Sequence, residues 1–379
     1  MPHLALQQST HWIASDTALE RSCETWAECP LLAMDTEFVR TDTYYPIAGL
    51  FQINDGKANY LIDPKAISDW TPLIELIDDD ARIVALHSCS EDIEVLHVEF
   101  GAVPANILDT QIAAAFLGFE SSLGYANLIE RTLGHVVPKE ETRSNWLQRP
   151  LSQAQMQYAA LDVEFLFPLA LRFRHDLEDQ GRLQWVLEES RALFRNFKHA
   201  QDIQQSHQRV KSAWKLSPRK LAVLMALSRW RETAAQQRNV PRNRILKEAS
   251  LFELALSTPT HLAQLRTIAG LSDSFLRREG PEVVSLIQEQ LALDEQDLPE
   301  ALPGQLSREE RQQLQILRDR VQALSEEHRI SPEILMKKKD LERLLRLKLR
   351  DDTAALQDFF HGWRAELLAE PMMEALACL

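Results

Sequence analysis

The sequence predicts an α/β layer with a mixed sheet, followed by an all-α half made of two small helical bundles. Three features carry this reading. In residues 1–200 short apolar runs alternate with stretches of helical periodicity, the pattern of a layered α/β fold. From about residue 211 the strand signals stop, and Leu- and Ala-rich helical periodicity takes over. That all-α half also repeats itself with a period of 90 residues, pairing Ser217 with Ser307, Leu227 with Leu317, Val240 with Ile330, Leu246 with Met336, Lys247 with Lys337, Leu251 with Leu341 and Leu254 with Leu344.

Taken in order, the expected strands are 31–38 (LLAMDTEF), 49–54 (GLFQIN), 58–63 (ANYLID), 82–86 (RIVAL) and 106–109 (NILD). Helices fill the gaps. Asp16 is the expected N-cap of a helix reaching about Glu28, Pro72 the first residue of another, and Ser90 the cap before Glu91–Phe100. Ser152 and Gln155 have capping-box spacing, which starts a long helix through Tyr158 and Asp162. The acidic stretch 293–304 (LDEQDLPEALPG) has no apolar period and two prolines, so it reads as the linker between the repeats. The division this implies is an α/β domain over 1–205 and helical domains over 211–290 and 305–372. Cut after about residue 205, the first is expected to fold by itself.

Composition narrows the class. With 379 residues, 45% of them apolar and 26% charged, the chain is neither disordered nor fibrous, and no apolar run approaches the roughly 18 residues of a membrane span. The start, MPHLALQQSTHW, lacks a basic stretch ahead of an apolar core, so no signal peptide is expected. Cys23, Cys29, Cys89 and Cys378 have no zinc-like spacing, which suits a reduced, cytoplasmic setting. Net charge is −14, but it is uneven: residues 1–200 hold 15 Lys and Arg against 30 Asp and Glu, whereas 201–379 hold 27 against 26. Within 211–250 ten cations face only Glu232 and Glu248, a local excess able to hold phosphate.

Several acids stand where the pattern is otherwise apolar. Asp35 and Glu37 lie two apart at the end of a strand, so their carboxylates share one face. An isolated Asp-x-Glu is most often a solvent-facing strand end. Asp92 opens a helix, where an acid also compensates the helix dipole. Asp162 follows Tyr158 by one helical turn and is flanked by Leu161, Val163 and Phe165. Four carboxylates without basic neighbours in sequence make a poor ion-pair network, but oxygen ligands suit hard divalent cations.

The order and spacing of these acids, with MDTEFVR at 34–40, YYP at 44–46, LFQI at 50–53, LIDP at 61–64, HSCSEDIEVL at 87–96, LDTQIAAAF at 108–116 and SNWLQRPLSQAQMQYAALDVEFL at 144–166, resemble the DEDD exonuclease superfamily in its tyrosine subgroup, and bacterial ribonuclease D within it. The resemblance covers about residues 10–200. It implies a ribonuclease H-like exonuclease domain over 1–205 that binds two divalent ions, Mg²⁺ or Mn²⁺, through Asp35, Glu37, Asp92 and Asp162, with the family's tyrosine at Tyr158. The related subgroup carries His five residues before the last acid, where this chain has Gln157. Asp35 is the candidate bridging ligand, Glu37 and Asp162 serve the cation on the water side, and Asp92 serves the second, directly or through water. Tyr158, with an ordinary pKa of about 10, orients the attacking water. Asp109 is expected to support the site structurally. His87 and His97 are set aside because hard cations prefer oxygen. Phe38 and Trp146 are candidates to stack on a terminal base.

Residues 211–290 resemble the HRDC domain, on WKLSPRKLAVLMALSRWRETAAQQRNVPRNRILKEASLFELA, and the second repeat matches it through ISPEILMKKKDLERLL and GWRAELL. Lys215, Arg219, Lys220, Arg229, Arg231, Arg242 and Arg244 are the expected phosphate-contacting surface. The resemblance implies a 3′→5′ exoribonuclease that releases nucleoside 5′-monophosphates from tRNA precursors and other small structured RNAs, with no membrane and no obligate protein partner. Its rivals are a 3′→5′ DNA exonuclease, since the same carboxylates serve both polymers, and a catalytically silent RNA-binding scaffold.

Overall fold

Six strands form one mixed sheet in a computed structural model that describes residues 6–137 and 144–379. They are β1 (Ser9–Ile13), β2 (Leu31–Val39), β3 (Ile47–Asn54), β4 (Ala58–Ile62), β5 (Ile83–Leu86) and β6 (Ile107–Asp109), in the spatial order β1-β4-β3-β2-β5-β6. The antiparallel pairs are β2 with β3 and β3 with β4, and the remaining three pairs are parallel. The helices of this half are α1 (Asp16–Trp26), α2 (Thr71–Ile77), α3 (Ser90–Phe100), α4 (Thr110–Phe116), α5 (Tyr125–Leu133), α6 (Gln153–Asp179) and α7 (Leu183–Gln201). Those that follow are α8 (Pro218–Gln237), α9 (Arg242–Ile245), α10 (Glu248–Ser257), α11 (Leu262–Leu265), α12 (Asp273–Arg278), α13 (Gly280–Leu291), α14 (Arg308–His328), α15 (Pro332–Leu335), α16 (Lys338–Leu349), α17 (Thr353–Gln357) and α18 (Trp363–Ala377). Among the described residues no helix is long and apolar enough to cross a membrane.

The five expected strands form within a residue or two of their expected limits, and β1 adds a sixth that the sequence reading lacked. Three cap assignments shift by one residue. Ser15, not Asp16, caps α1 by accepting from the Ala18 amide, while Asp16 accepts from the Ser68 amide (2.8 Å) and hydroxyl (2.5 Å). Ser90 is the first residue of α3 rather than its cap, and Pro72 is the second residue of α2. The capping box at Ser152 and Gln155 forms as its spacing implies, with both reciprocal bonds present (3.1 and 2.9 Å).

The chain divides into two compact units, one of Met1–Val39, Ile47–Phe194 and Leu306–Leu379, the other of Arg40–Pro46 and Arg195–Gln305. In the first, the second helical repeat shares a hydrophobic core with the sheet layer: Phe116, Leu169 and Phe173 belong to the same cluster as Leu317, Leu344 and Trp363. Phe116 meets the Trp363 ring edge-on at 5.0 Å, and Trp185 stacks on Trp363 at 5.6 Å. Arg182 joins two helix ends, donating to the carbonyls of Phe116 (3.0 Å) at the end of α4 and His328 (2.8 Å) at the end of α14. Those carbonyls lack intrahelical partners, so a guanidinium satisfies both at once.

This shared core revises the expectation that residues 1–205 fold by themselves. Truncation there leaves Phe116, Trp185 and Arg182 without the surfaces that bury and pair them. The truncated protein is expected to melt at least about 5 °C below the full chain, since losing even one large buried aromatic contact costs about 3–5 kcal/mol. Thermal unfolding of both proteins, followed by circular dichroism, checks this.

In the second unit α8, α10 and α13 enclose a core of Leu224, Leu227, Leu254 and Ile287, which Tyr44, from the segment after β2, also enters. Tyr44 and Arg242 both bond to Glu232, and the Arg242 guanidinium lies 4.8 Å over the Tyr44 ring.

Candidate active site

The central strand β2 supplies the first two acids. Leu31 to Met34 are buried, and alternation then sends Asp35 and Glu37 to one face, half-buried, and Thr36 to the other. Asp35 stands opposite Gln52 of β3 and Glu37 opposite Leu50, and the register breaks by a bulge just after Glu37. Such bulges re-aim side chains at the end of a ladder. Asp162 arrives from α6, a long helix buried along the sheet. Carboxylate oxygens of Asp35, Glu37 and Asp162 all lie within 4.8 Å of one another.

Asp92, in the first turn of α3, is buried and stands outside this group of three. Its carboxylate accepts a 2.5 Å hydrogen bond from the Thr36 hydroxyl, so the strand that presents Asp35 and Glu37 also fixes the fourth acid. Replacing Thr36 by Val keeps the shape and removes this bond. Turnover is expected to fall by about tenfold, the scale of one hydrogen bond to a charged group, with the melting temperature changed little. Steady-state kinetics beside a thermal melt checks it.

The electrostatics are those of a site built for cations. Among the described residues no ion pair reaches Asp35, Glu37, Asp92 or Asp162. Burial, reinforced by the charges of Asp92, Asp162 and Glu37, holds Asp35 well above the usual carboxylate range. Burial first and then Asp162 and Asp92 push Glu37 up to about 9. Asp162 is raised by burial to about 7 despite a hydrogen bond from Tyr158, and Asp92 by burial to about 6 despite the bond from Thr36. Such acids retain protons in the folded chain that the unfolded chain releases near pH 4.

The consequence for stability follows by linkage. Because these folded pKa values are raised, the metal-free protein is most stable below about pH 4 as far as these groups are concerned, and loses that contribution as pH climbs through 6, 7 and 9. In the presence of EDTA the melting temperature should fall by about 3 °C or more between pH 5.5 and 9, and Mg²⁺ or Mn²⁺ should reverse the fall at pH 9. Melting curves across that range, with and without the cation, give the answer.

Residues beyond the four acids and Tyr158 hold the site together. Asp109 is buried at the start of α4 and accepts from the amides of Ser88 (3.1 Å), Cys89 (3.0 Å), Gln111 (2.8 Å) and Ile112 (3.3 Å). It thereby fixes both its own helix and the turn that launches α3, where Ser88 adopts a left-handed conformation at φ 55°. Tyr125 donates its hydroxyl to the carbonyl of Asp162, pinning α6 at the acid itself. No sequence signal marks Tyr125, which is 37 residues away in the chain. His87 shares a 3.0 Å hydrogen bond with the Thr110 hydroxyl, and burial lowers its pKa.

Of the two aromatic candidates, Phe38 is half-buried next to Glu37, but Trp146 is only 1% exposed. Its ring packs near Tyr158 (6.1 Å between centroids) and its backbone lies so close to Gly49 that a Cβ there would meet Trp146 Cβ at 2.6 Å. In this structure it is a wall beneath the tyrosine rather than a stacking surface for a base. Arg149 clamps the same segment, bonding to Asp63 (2.7 and 2.6 Å) and to the carbonyl of Gly49 (2.6 Å).

The seven basic residues of the first repeat do not make one phosphate-binding face. Arg231 is buried, Arg242 is engaged by Glu232, and Arg219 bonds to the carbonyls of Leu291 (2.9 Å) and Leu293 (2.7 Å). Arg244 pairs with Asp42, and Arg229 donates to Gln204 (3.1 Å). Lys215 is exposed beside the Trp214 ring, and Lys220 is half-buried. The arginines satisfy acids and carbonyls of their own unit, a use that a charge count along the chain does not register.

Comparison with known proteins matches this arrangement. Residues 10–178 fit the family model described as a 3′-5′ exonuclease, 220–287 the HRDC domain, and 309–372 the C-terminal HRDC domain of ribonuclease D. Ribonuclease D of Pseudomonas paraeruginosa is 40% identical over 365 residues, covering 96% of this chain and 97% of that one. Ribonuclease D of Escherichia coli is 35% identical over 374 residues, covering 96% and 97%. The crystal structure of the Escherichia coli enzyme, described as an exoribonuclease involved in structured RNA processing, superposes with a TM-score of 0.89 at 33% identity over 98% of this chain and 99% of that one. Similarity of this extent, across the sheet layer and both helical repeats alike, shows that the chain belongs to the ribonuclease D family of 3′→5′ exoribonucleases.

Proposed function

We propose that this chain trims the 3′ ends of tRNA precursors and other small structured RNAs in the cytoplasm, one nucleoside 5′-monophosphate at a time. The observation that carries the reading is the grouping of Asp35, Glu37 and Asp162, with no ion-pair partner among the described residues, beside a hydroxyl on Tyr158. Carboxylates so placed repel one another and an RNA backbone unless cations stand between, and their oxygen-only donor set fits Mg²⁺ or Mn²⁺. Asp35, Glu37, Asp92 and Asp162 would hold two such ions. When bound, they supply charge neutralisation for the phosphate, a more acidic attacking water and stabilisation of the departing 3′-oxygen.

The chain's own residues do the positioning. Tyr158, held over Asp162 by their hydrogen bond, aims the attacking water at the terminal phosphorus. The bond from water oxygen to phosphorus forms as the P–O3′ bond to the penultimate ribose breaks. That 3′-oxygen takes up a proton, and the last nucleotide leaves with its 5′-phosphate. Phe38, half-buried next to Glu37, would stack on the terminal base. We assign catalysis to residues 1–205 and substrate holding to the helical domains over 211–290 and 305–372.

The test uses purified full-length protein with Mg²⁺ or Mn²⁺ on matched, 5′-labelled RNA and DNA oligomers and on a tRNA precursor. Stepwise shortening of the RNA from its 3′ end, with nucleoside 5′-monophosphate released, is expected. Equal or faster shortening of DNA would favour the DNA exonuclease, and RNA binding without turnover would favour the silent scaffold.

A further inference from the structure

The two helical repeats share a pattern but not a surface. Aligned at the 90-residue shift, α10 of the first repeat corresponds to α16 of the second, with Leu251 and Leu254 buried where Leu341 and Leu344 are buried. In both helices these leucines face the core, so both present an outer face to solvent. The outer faces differ completely in charge. Residues 247–260 hold one cation, Lys247, against Glu248 and Glu253. Residues 337–350 hold seven, Lys337, Lys338, Lys339, Arg343, Arg346, Lys348 and Arg350, against Asp340 and Glu342.

Most of these cations are available to a ligand, unlike the arginines of the first repeat. Lys337, Lys338, Lys339, Arg343 and Arg350 are exposed. Lys338 has a 3.7 Å ion pair with Glu342, and Arg343 lies 5.5 Å from the centre of the Phe359 ring. The exposed ion pair is worth little and is readily exchanged for a phosphate. The helix is also fixed to the catalytic layer: Leu341, Leu344 and Leu345 belong to the same core cluster as Phe116 and Phe173 of the sheet layer. A basic face held rigidly in the same compact unit as the acids is suited to gripping a polyanion at a constant offset from the reacting end.

We propose that α16 and its flanking residues, Lys337 to Arg350, form the surface that binds backbone phosphates of the RNA body, and that the matching helix of the first repeat does not. This rests on the exonuclease reading above and adds the place where the substrate is held. The chemistry recognised is that of successive phosphodiesters, independent of base sequence.

The test is the salt dependence of binding of a structured RNA to the full chain, measured by fluorescence anisotropy in an Asp35→Asn background so that the ligand is not consumed. One variant neutralises three exposed cations, Lys337→Gln, Lys339→Gln and Arg350→Gln. A control neutralises Lys247→Gln, the repeat counterpart of Lys337. The α16 variant should lose about 2 to 3 from the log–log slope, at about 0.7–0.9 per phosphate contact, and bind about 10²-fold more weakly at 0.1 M salt. The control should keep slope and affinity within the error of the unaltered protein. An unchanged slope in the α16 variant overturns the proposal, as does an equal loss in the single-residue control. Failure of the exonuclease reading would show elsewhere, as absence of RNA shortening by the unaltered chain.

Discussion

Asp35→Asn is expected to lower turnover by about 10³-fold or more while raising the melting temperature of the metal-free protein. The two effects share one cause. Asp35 lies among Glu37, Asp92 and Asp162, and its carboxyl is held well above its ordinary range by burial and by those three charges. Above neutral pH the metal-free site contains mutual repulsion that no ion pair among the described residues offsets, and the neutral amide removes one of the interacting charges. The same amide is a poor ligand for a hard cation, so several kcal/mol of transition-state stabilisation should vanish, at about 1.4 kcal/mol per tenfold in rate. Kinetics at saturating Mg²⁺ or Mn²⁺, with melts in EDTA at pH 8, measure both. Retained turnover would sink the assignment of Asp35 as a ligand, and a lowered melting temperature would show that the residue contributes stability.

How far the sequence could lead depended on how local each feature is. Asp35 and Glu37 share a face by strand alternation, and Tyr158 and Asp162 by one turn of α6, so these pairs were readable from spacing. Thr36 was not, because its role exists only when α3, 56 residues on, brings Asp92 against it. Trp146 read as a possible stacking group for the same reason: nothing in its own segment says that Gly49 lets it press against the sheet. β1 was missed because STHWI is short, largely exposed and without apolar alternation, and becomes a strand by pairing in parallel with β4. The basic count over 211–250 does not show how its cations are used, since Glu232 and the carbonyls of Leu291 and Leu293 take up arginines that a count leaves free. Over the whole second half the near-balance of 27 cations and 26 acids also concealed the charge on α16.

Tyr158→Phe is expected to lower kcat by about 10²-fold or more, with cation affinity changed less than about threefold. The phenol donates a hydrogen bond to Asp162, and its ring rests near the buried Trp146. Phenylalanine keeps the ring and its packing, so the fold and the carboxylates stay in place and only the hydroxyl is lost. If that hydroxyl aims the attacking water, its loss acts on the chemical step, at the scale of a positioned polar group in proton handling. If it only restrains Asp162, its loss frees that carboxylate, lets the pKa of Asp162 rise from about 7, and weakens the cation at neutral pH. The two roles therefore separate on a pair of measurements. A single-turnover rate at saturating cation reports the water, and a cation titration of melting temperature reports Asp162. A slow rate with an unshifted titration makes Tyr158 a catalytic residue, whereas a shifted titration with a normal saturated rate makes it a support for Asp162.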